Sequence, residues 1–125
     1  MAVSANLLIA IVAMEHLGFL VLEMFLWTQP FGLRTFGLTP EFAAESSALA
    51  ANQGLYNGFL AAGLLWSLVR RQDAFSSKVF FLLCVIAAGV FGAFTAKTSI
   101  LFVQAAPAFV ALALLMLSRR AGGGS

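Results

Sequence analysis

Four apolar stretches of the chain are each long enough to cross a lipid bilayer. A hydrocarbon core of about 30 Å requires a helix of roughly 20 mostly apolar residues. The stretches that qualify are Val3–Trp27, Leu49–Val69, Lys78–Ala96 and Ser99–Leu117. Charged residues make up only 10% of the chain, too few to cover a soluble globule. The sequence therefore predicts an all-α integral membrane protein, a bundle of four transmembrane helices forming a single domain over residues 1–120.

The first apolar stretch and the last five residues of the chain differ from a signal peptide and from a membrane span, respectively. The first apolar stretch has no basic leading segment and carries Glu15, His16 and Glu23, so it is interpreted as a membrane span and not as a signal peptide. The last five residues, Ala121-Gly-Gly-Gly-Ser125, are interpreted as an appended linker and are left out of the fold prediction.

The connections between the spans differ in character. Residues 28–39 contain a proline and two glycines and are expected to form a loop. Thr39 and Pro40 then resemble the N-cap and first residue of a helix, which predicts that the second helix begins at Pro40, before its apolar part. Only Lys97 and Thr98 separate the third and fourth spans, so these two helices are expected to be antiparallel neighbours.

The basic residues predict the orientation in the membrane. With four spans, both termini lie on one face, together with five basic residues, whereas the other face has only Arg34 and Lys97. Cytoplasmic segments carry the excess of lysine and arginine. We therefore expect a multi-pass protein of the cell inner membrane with both termini in the cytoplasm. Because the basic residues stand at the ends of apolar runs, the pI of 9.2 indicates membrane anchoring and no nucleic-acid partner.

Three ionisable residues lie within the first span. A central charged side chain costs about 2.5–3.5 kcal/mol of insertion free energy, so Glu15, His16 and Glu23 are expected to face protein or water. At 3.6 residues per turn they fit one inward arc, with His16 near the midplane and Glu23 about 10 Å nearer the outer surface. Intramembrane carboxylates are usually functional, and these three residues are predicted to be the catalytic or proton-handling set.

The second span provides the predicted binding residues. Gln53, Tyr56 and Asn57 share an arc of about 100° on a helix, with Asn52 on its flank. Gln104 is expected to enter from the fourth helix. Together these residues predict a polar pocket in the outer half of the bundle, although each amide alone is also typical of interhelical hydrogen bonding. No cofactor or metal is expected, because one histidine and one cysteine make a poor ligand set.

A series of small residues lies on the adjacent face of the second span. Gly54, Gly58 and Ala62 are spaced for close backbone approach, either within the chain or between copies in a homo-oligomer.

Several of these segments resemble a known family. Ala13-Met-Glu-His16, the Leu22–Trp27 and Phe36–Leu38 segments, the Ala51–Gly63 string, and Phe102-Val-Gln104 followed by Pro107 are similar to the family named domain of unknown function 1304. The resemblance covers nearly the whole chain. It implies a bacterial four-span membrane protein of about this length, without an assigned activity.

Several functions are compatible with a buried polar set of this kind. A carboxyl group removed from water can hold its proton at neutral pH and act as a general acid. The preferred hypothesis is a protein that binds a small lipophilic molecule or converts it by acid/base chemistry, as an isomerase, hydratase or hydrolase would. The alternatives are a proton-coupled transporter with the layout, but not the motifs, of the small multidrug resistance transporters, and a structural membrane subunit.

Overall fold

The computed structural model describes residues 1–123, and over that range the chain is helical with no strand. The elements are α1 (Ala2–Met24), α2 (Pro30–Phe36), α3 (Pro40–Val69), α4 (Ala74–Thr95), a π-helical turn (Leu101–Ala105) and α5 (Ala106–Gly122). The first residues of the predicted linker continue α5 as far as Gly122, and residues 124 and 125 of that linker lie outside the described residues.

The described residues include three helices that are long and apolar enough to cross a membrane: Ala2–Met24, Ala74–Thr95 and Leu101–Gly122. Helix α3 spans 30 residues and is therefore long enough, but it is not among the three, because polar residues interrupt its apolar sequence. The fourth predicted span is thus supported by helix length and not by hydropathy.

Two local predictions concern the start of α3 and the segment that precedes it. Helix α3 begins at Pro40, and the backbone N–H of Phe42 donates to the Thr39 hydroxyl over 3.2 Å, so the predicted N-cap is confirmed. The expectation of a loop over residues 28–39 was wrong, because Pro30–Phe36 form a helical segment. Pro30 is the first helical residue, and Gly37 ends the segment in the left-handed conformation with φ of 65°.

The chain divides into two compact units, Met1–Ala13 with Ala62–Ser125 (unit 1) and Met14–Ala61 (unit 2). The interior of unit 1 is formed by small and aliphatic side chains from both of its segments; these include Ile9, Leu64, Leu82, Val85, Ala105, Ala108 and Ala111. In unit 1, α4 packs closely against the π-helical turn. A Cβ atom on Gly89 would lie 2.8 Å from the Ala105 backbone nitrogen, so the two elements are close neighbours as predicted. The link between them is longer than the predicted two residues, because α4 ends at Thr95 and the π-helical turn begins at Leu101.

Much of the surface of the chain is apolar. Many phenylalanine side chains point outward, and Phe94 is 87% exposed while Phe91 is 70% exposed. Soluble monomers rarely expose apolar patches of this extent, because such surface is costly in water. Alanines inside and phenylalanines outside are the arrangement expected of helices whose outer surface contacts lipid.

Unit 2 is organised around the turn that leads from α1 into α2. The Trp27 indole N–H donates to the Ser46 hydroxyl of α3 over 3.0 Å, and its ring lies 4.9 Å from the Phe36 ring of α2. Gly32 packs against the same turn so closely that any side chain there would collide with the Leu26 carbonyl group. Trp27, which follows α1 in the sequence, therefore contacts both α2 and α3.

Candidate functional site

A polar contact in unit 2 joins two of the predicted site residues, Glu23 and Asn57. The Asn57 side-chain Nδ2 donates to the Glu23 carboxylate Oε1 over 2.8 Å. Asn57 is only 6% exposed, and Glu23 is partly buried. Glu23 belongs to the last turn of α1 and Asn57 to the middle of α3, so the hydrogen bond connects the two helices.

Two glycines of α3 permit this contact. A Cβ atom on Gly54 would lie 3.0 Å from the Glu23 Cβ, 3.2 Å from the Leu20 carbonyl oxygen and 2.8 Å from Met24 Cγ. A Cβ on Gly58 would lie 2.6 Å from Leu20 Cδ1. These glycines therefore bring α3 against α1 within the chain. Ala62, the third member of the predicted series, is exposed, and the homo-oligomer remains a prediction.

The two glycines should differ in their tolerance of a methyl group. Gly54→Ala is expected to lower the melting temperature of the purified protein more than Gly58→Ala. At Gly54 the obstacles include a backbone oxygen and a Cβ atom, whereas at Gly58 the obstacle is the flexible end of a leucine side chain. Thermal unfolding in detergent, followed by tryptophan fluorescence, measures the difference. Equal melting temperatures would show that the α1–α3 contact is looser than the structure has it.

The other predicted site residues of α3 are exposed. Asn52 and Gln53 are exposed, and Tyr56 is 55% exposed with its ring 5.9 Å from that of Phe59. Gln53 lies one helical turn before Asn57 on α3. The predicted polar arc thus has one buried member and three outward-facing ones.

Glu15 and His16 lie two turns before Glu23 on α1. His16 is fully buried, and its ring makes an edge contact with Phe19 at 5.4 Å between centroids. The Oε1 atom of Glu15 is buried and has no hydrogen-bond partner among the described residues. Gln104 belongs to the π-helical turn of unit 1. The structure therefore brings two of the predicted site residues, Glu23 and Asn57, into direct contact.

The hollows described in the structure lie in unit 1. One, of about 320 Å³, has apolar walls from α4, the π-helical turn and α5. The other, of about 480 Å³, is polar and lies where α4 begins and α5 ends. The described lining residues of both include none of the predicted site residues. The second hollow is lined in part by Lys78 and Arg119, which the sequence analysis interpreted only as membrane anchors. The sequence feature that could have indicated this hollow is the position of both residues near the ends of neighbouring helices.

Comparison with known proteins identifies the family. The model of the family described as "Protein of unknown function (DUF1304)" matches residues 10–116. The chain belongs to this family. The resemblance seen in the sequence is thereby confirmed, and the matched range of the DUF1304 family includes both Glu23 and Asn57.

One relative of this DUF1304 member is the "Uncharacterized protein YpaA" of Lactococcus lactis subsp. lactis (strain IL1403). It is 27% identical over 114 residues, which cover 90% of this chain and 96% of the relative. No solved structure matches the chain significantly.

Proposed function

We propose that this DUF1304 member is a multi-pass protein of the inner membrane that uses Glu23 and Asn57 to bind the polar group of a small lipophilic molecule. In this proposal α3 is the fourth span, both termini are cytoplasmic, and the site lies in the outer half of the membrane. The three apolar helices and the outward-facing phenylalanines support the membrane location. The Glu23–Asn57 hydrogen bond carries the proposal for the site.

The position of Glu23 favours a role beyond packing. Helix α1 ends at Met24, so Glu23 lies beside the carbonyl groups of the last helical turn. A negative charge there is unfavourable by about 0.3–1 kcal/mol, because the helix dipole places partial negative charge at the same end. Two apolar side chains would join α1 to α3 without that cost or the cost of dehydrating a carboxylate. A polar group that is present inside a membrane protein despite these costs is a functional candidate.

The chemistry around the contact suits a ligand with a hydroxyl, carbonyl or amide group. The Asn57 amide can accept a hydrogen bond at its own oxygen while it donates to Glu23, and Glu23 has a second carboxylate oxygen. Gln53, Asn52 and Tyr56 add donors and acceptors along the outer side of α3. Because these three face outward, a lipophilic molecule can approach them sideways from the bilayer without passing through an enclosed cavity.

Native mass spectrometry of the detergent-purified protein tests the proposed binding. Wild type is expected to carry a co-purified small molecule, and Glu23→Gln is expected to lose it. Glu41→Gln is the matched control, since Glu41 is an exposed residue of the first turn of α3 and its replacement removes the same charge. A glutamine at position 23 still accepts the Asn57 hydrogen bond, so the fold is expected to survive.

Two outcomes of that experiment count against ligand binding. Bare wild-type protein would exclude a tightly bound molecule, and an unchanged adduct on Glu23→Gln would show that the carboxylate does not hold it. In either case the Glu23–Asn57 hydrogen bond would serve only to join the two helices, as the hypothesis of a structural membrane subunit predicts.

Proton-coupled transport is the second candidate function. The observation that favours it is the buried Oε1 atom of Glu15, which has no hydrogen-bond partner among the described residues. A carboxyl group near the middle of a membrane helix, adjacent in sequence to the fully buried His16, is suited to gaining and losing a proton during a transport cycle.

A further inference from the structure

The polar hollow of unit 1 is formed by the start of α4 and the end of α5, close in sequence to most of the basic residues of the chain. Its volume is about 480 Å³. Its described walls are Asp73, Phe75, Ser76, Lys78, Leu115, Ser118 and Arg119. Leu115 is 6% exposed and forms an apolar wall, so the hollow combines polar groups with a hydrophobic surface.

The two cations of the hollow are held in place by neighbouring groups. The Arg119 guanidinium carbon lies 4.2 Å from the centroid of the Phe75 ring. Such stacking uses the face of the guanidinium and leaves its N–H groups free to donate at the edge. Lys78 Nζ donates to Asn6 Oδ1 over 2.8 Å, and an ammonium group has three N–H donors, so two are left for another acceptor.

The acid among the described walls, Asp73, does not cancel this positive charge. The Asp73 carboxylate lies 3.6 Å from Arg70 Nη2, a cation that is not part of the walls. Because Asp73 is paired with Arg70, Lys78 and Arg119 provide the net charge of the hollow. An anion is therefore the ligand type that its electrostatics favour.

The hollow lies at the N-terminus of α4. Asp73 is the residue before α4, and its side chain does not cap the helix. The first backbone N–H groups of α4 consequently have no acceptor from the Asp73 side chain, and they carry the positive end of the helix dipole. Phosphate oxygens are common partners of helix N-termini, and lysine and arginine side chains bind them as well.

We propose that this hollow binds the phosphate group of an anionic phospholipid, with Lys78 and Arg119 as its main contacts. Basic hollows between transmembrane helices at the cytoplasmic surface are suited to lipid headgroups. The apolar wall provided by Leu115 and the phenylalanine ring favour a phosphodiester attached to an acyl-bearing glycerol over a free ion. This site is separate from the Glu23–Asn57 contact, and its test does not depend on that contact.

The experiment titrates the full-length, detergent-purified protein with phosphatidylglycerol, with phosphatidylcholine and with inorganic phosphate, and measures bound species by native mass spectrometry. Wild type is expected to prefer phosphatidylglycerol. The double variant Lys78→Gln/Arg119→Gln is expected to lose roughly tenfold or more in apparent affinity, since each cation near a lipid phosphate contributes several-fold. Lys78→Arg/Arg119→Lys keeps both charges and is expected to retain binding.

A matched control separates the hollow from general surface charge. Arg71→Gln/Arg120→Gln removes two exposed cations close in sequence to the hollow but outside its described walls, and it is expected to change the affinity by roughly twofold or less. Equal losses in the two glutamine double variants would overturn the proposal, as would equal binding of the two lipids by wild type. Binding of inorganic phosphate that competes with the lipid and requires Lys78 and Arg119 would support a phosphate site. Phosphate binding without lipid binding would overturn the assignment to a lipid.

Discussion

Asn57→Leu is expected to destabilise the protein by roughly 1–3 kcal/mol and to release any molecule bound at Glu23. Asn57 is 6% exposed and gives its side-chain N–H to the Glu23 carboxylate. A leucine of similar size removes the donor and leaves a partly buried carboxylate without its partner. The free energy of unfolding in detergent and the mass of the bound molecule measure the two effects.

Asn52→Leu is the matched control for this substitution. It replaces the same amide on the same helix, but Asn52 is exposed, so little loss of stability is expected. The double variant Glu23→Leu/Asn57→Leu removes both partners and is expected to recover much of the stability lost in Asn57→Leu, while binding stays absent. Equal destabilisation by Asn57→Leu and Asn52→Leu would show that the hydrogen bond between α1 and α3 contributes little.

Gly32→Ala is expected to have the largest effect on the fold of unit 2. The new Cβ atom would collide with the Leu26 carbonyl oxygen and lie 2.7 Å from its carbonyl carbon. Both obstacles are backbone atoms of the turn that follows α1, so α2 cannot keep its position. Overpacking of this kind costs about 1–3 kcal/mol or more. The melting temperature in detergent and the tryptophan emission both report the change, in a Trp66→Phe background that leaves Trp27, which packs against α2, as the emitting residue.

Gly18→Ala is expected to have the opposite effect on the melting temperature. Gly18 lies within α1, and a Cβ atom added there would have no neighbouring atom within 4 Å among the described residues. An alanine at this position is expected to raise the melting temperature slightly, since alanine favours a helix over glycine by about 1 kcal/mol. If Gly32→Ala behaved like Gly18→Ala, the close packing of α2 on the preceding turn would be wrong.

Sequence patterns predicted the helix boundaries where a residue has one local role. Thr39 and Pro40 form a cap and first turn in almost any surroundings, and the structure has both. Helix α2 was missed because Pro30 and Gly37 are equally typical of a turn and of the two ends of a short helix. Propensity alone does not separate these two conformations over a segment of seven residues.

Which side of α3 lies against α1 depends on tertiary packing and was only partly predictable. Periodicity placed Gln53, Tyr56 and Asn57 on one arc, but it did not say which edge of that arc meets α1. In the structure α1 lies against Gly54 and Gly58, whose lack of side chains leaves room for that close approach. Asn57 lies beside those glycines and is buried, whereas Tyr56 is rotated outward. Small residues therefore decided which polar side chain became the partner of Glu23.

The proposed site lies between α1 and α3, so the proposed function depends most on whether α3 crosses the membrane. Cysteine labelling in intact cells tests this directly, in a Cys84→Ser background that removes the native thiol. Thr35→Cys precedes α3 and Gln72→Cys follows it, and both positions are exposed. If α3 spans the bilayer as proposed, a membrane-impermeant maleimide labels Thr35→Cys from outside and labels Gln72→Cys only after the membrane is permeabilised. Labelling of both positions from the same side would contradict the proposal, because α3 would then not cross the bilayer.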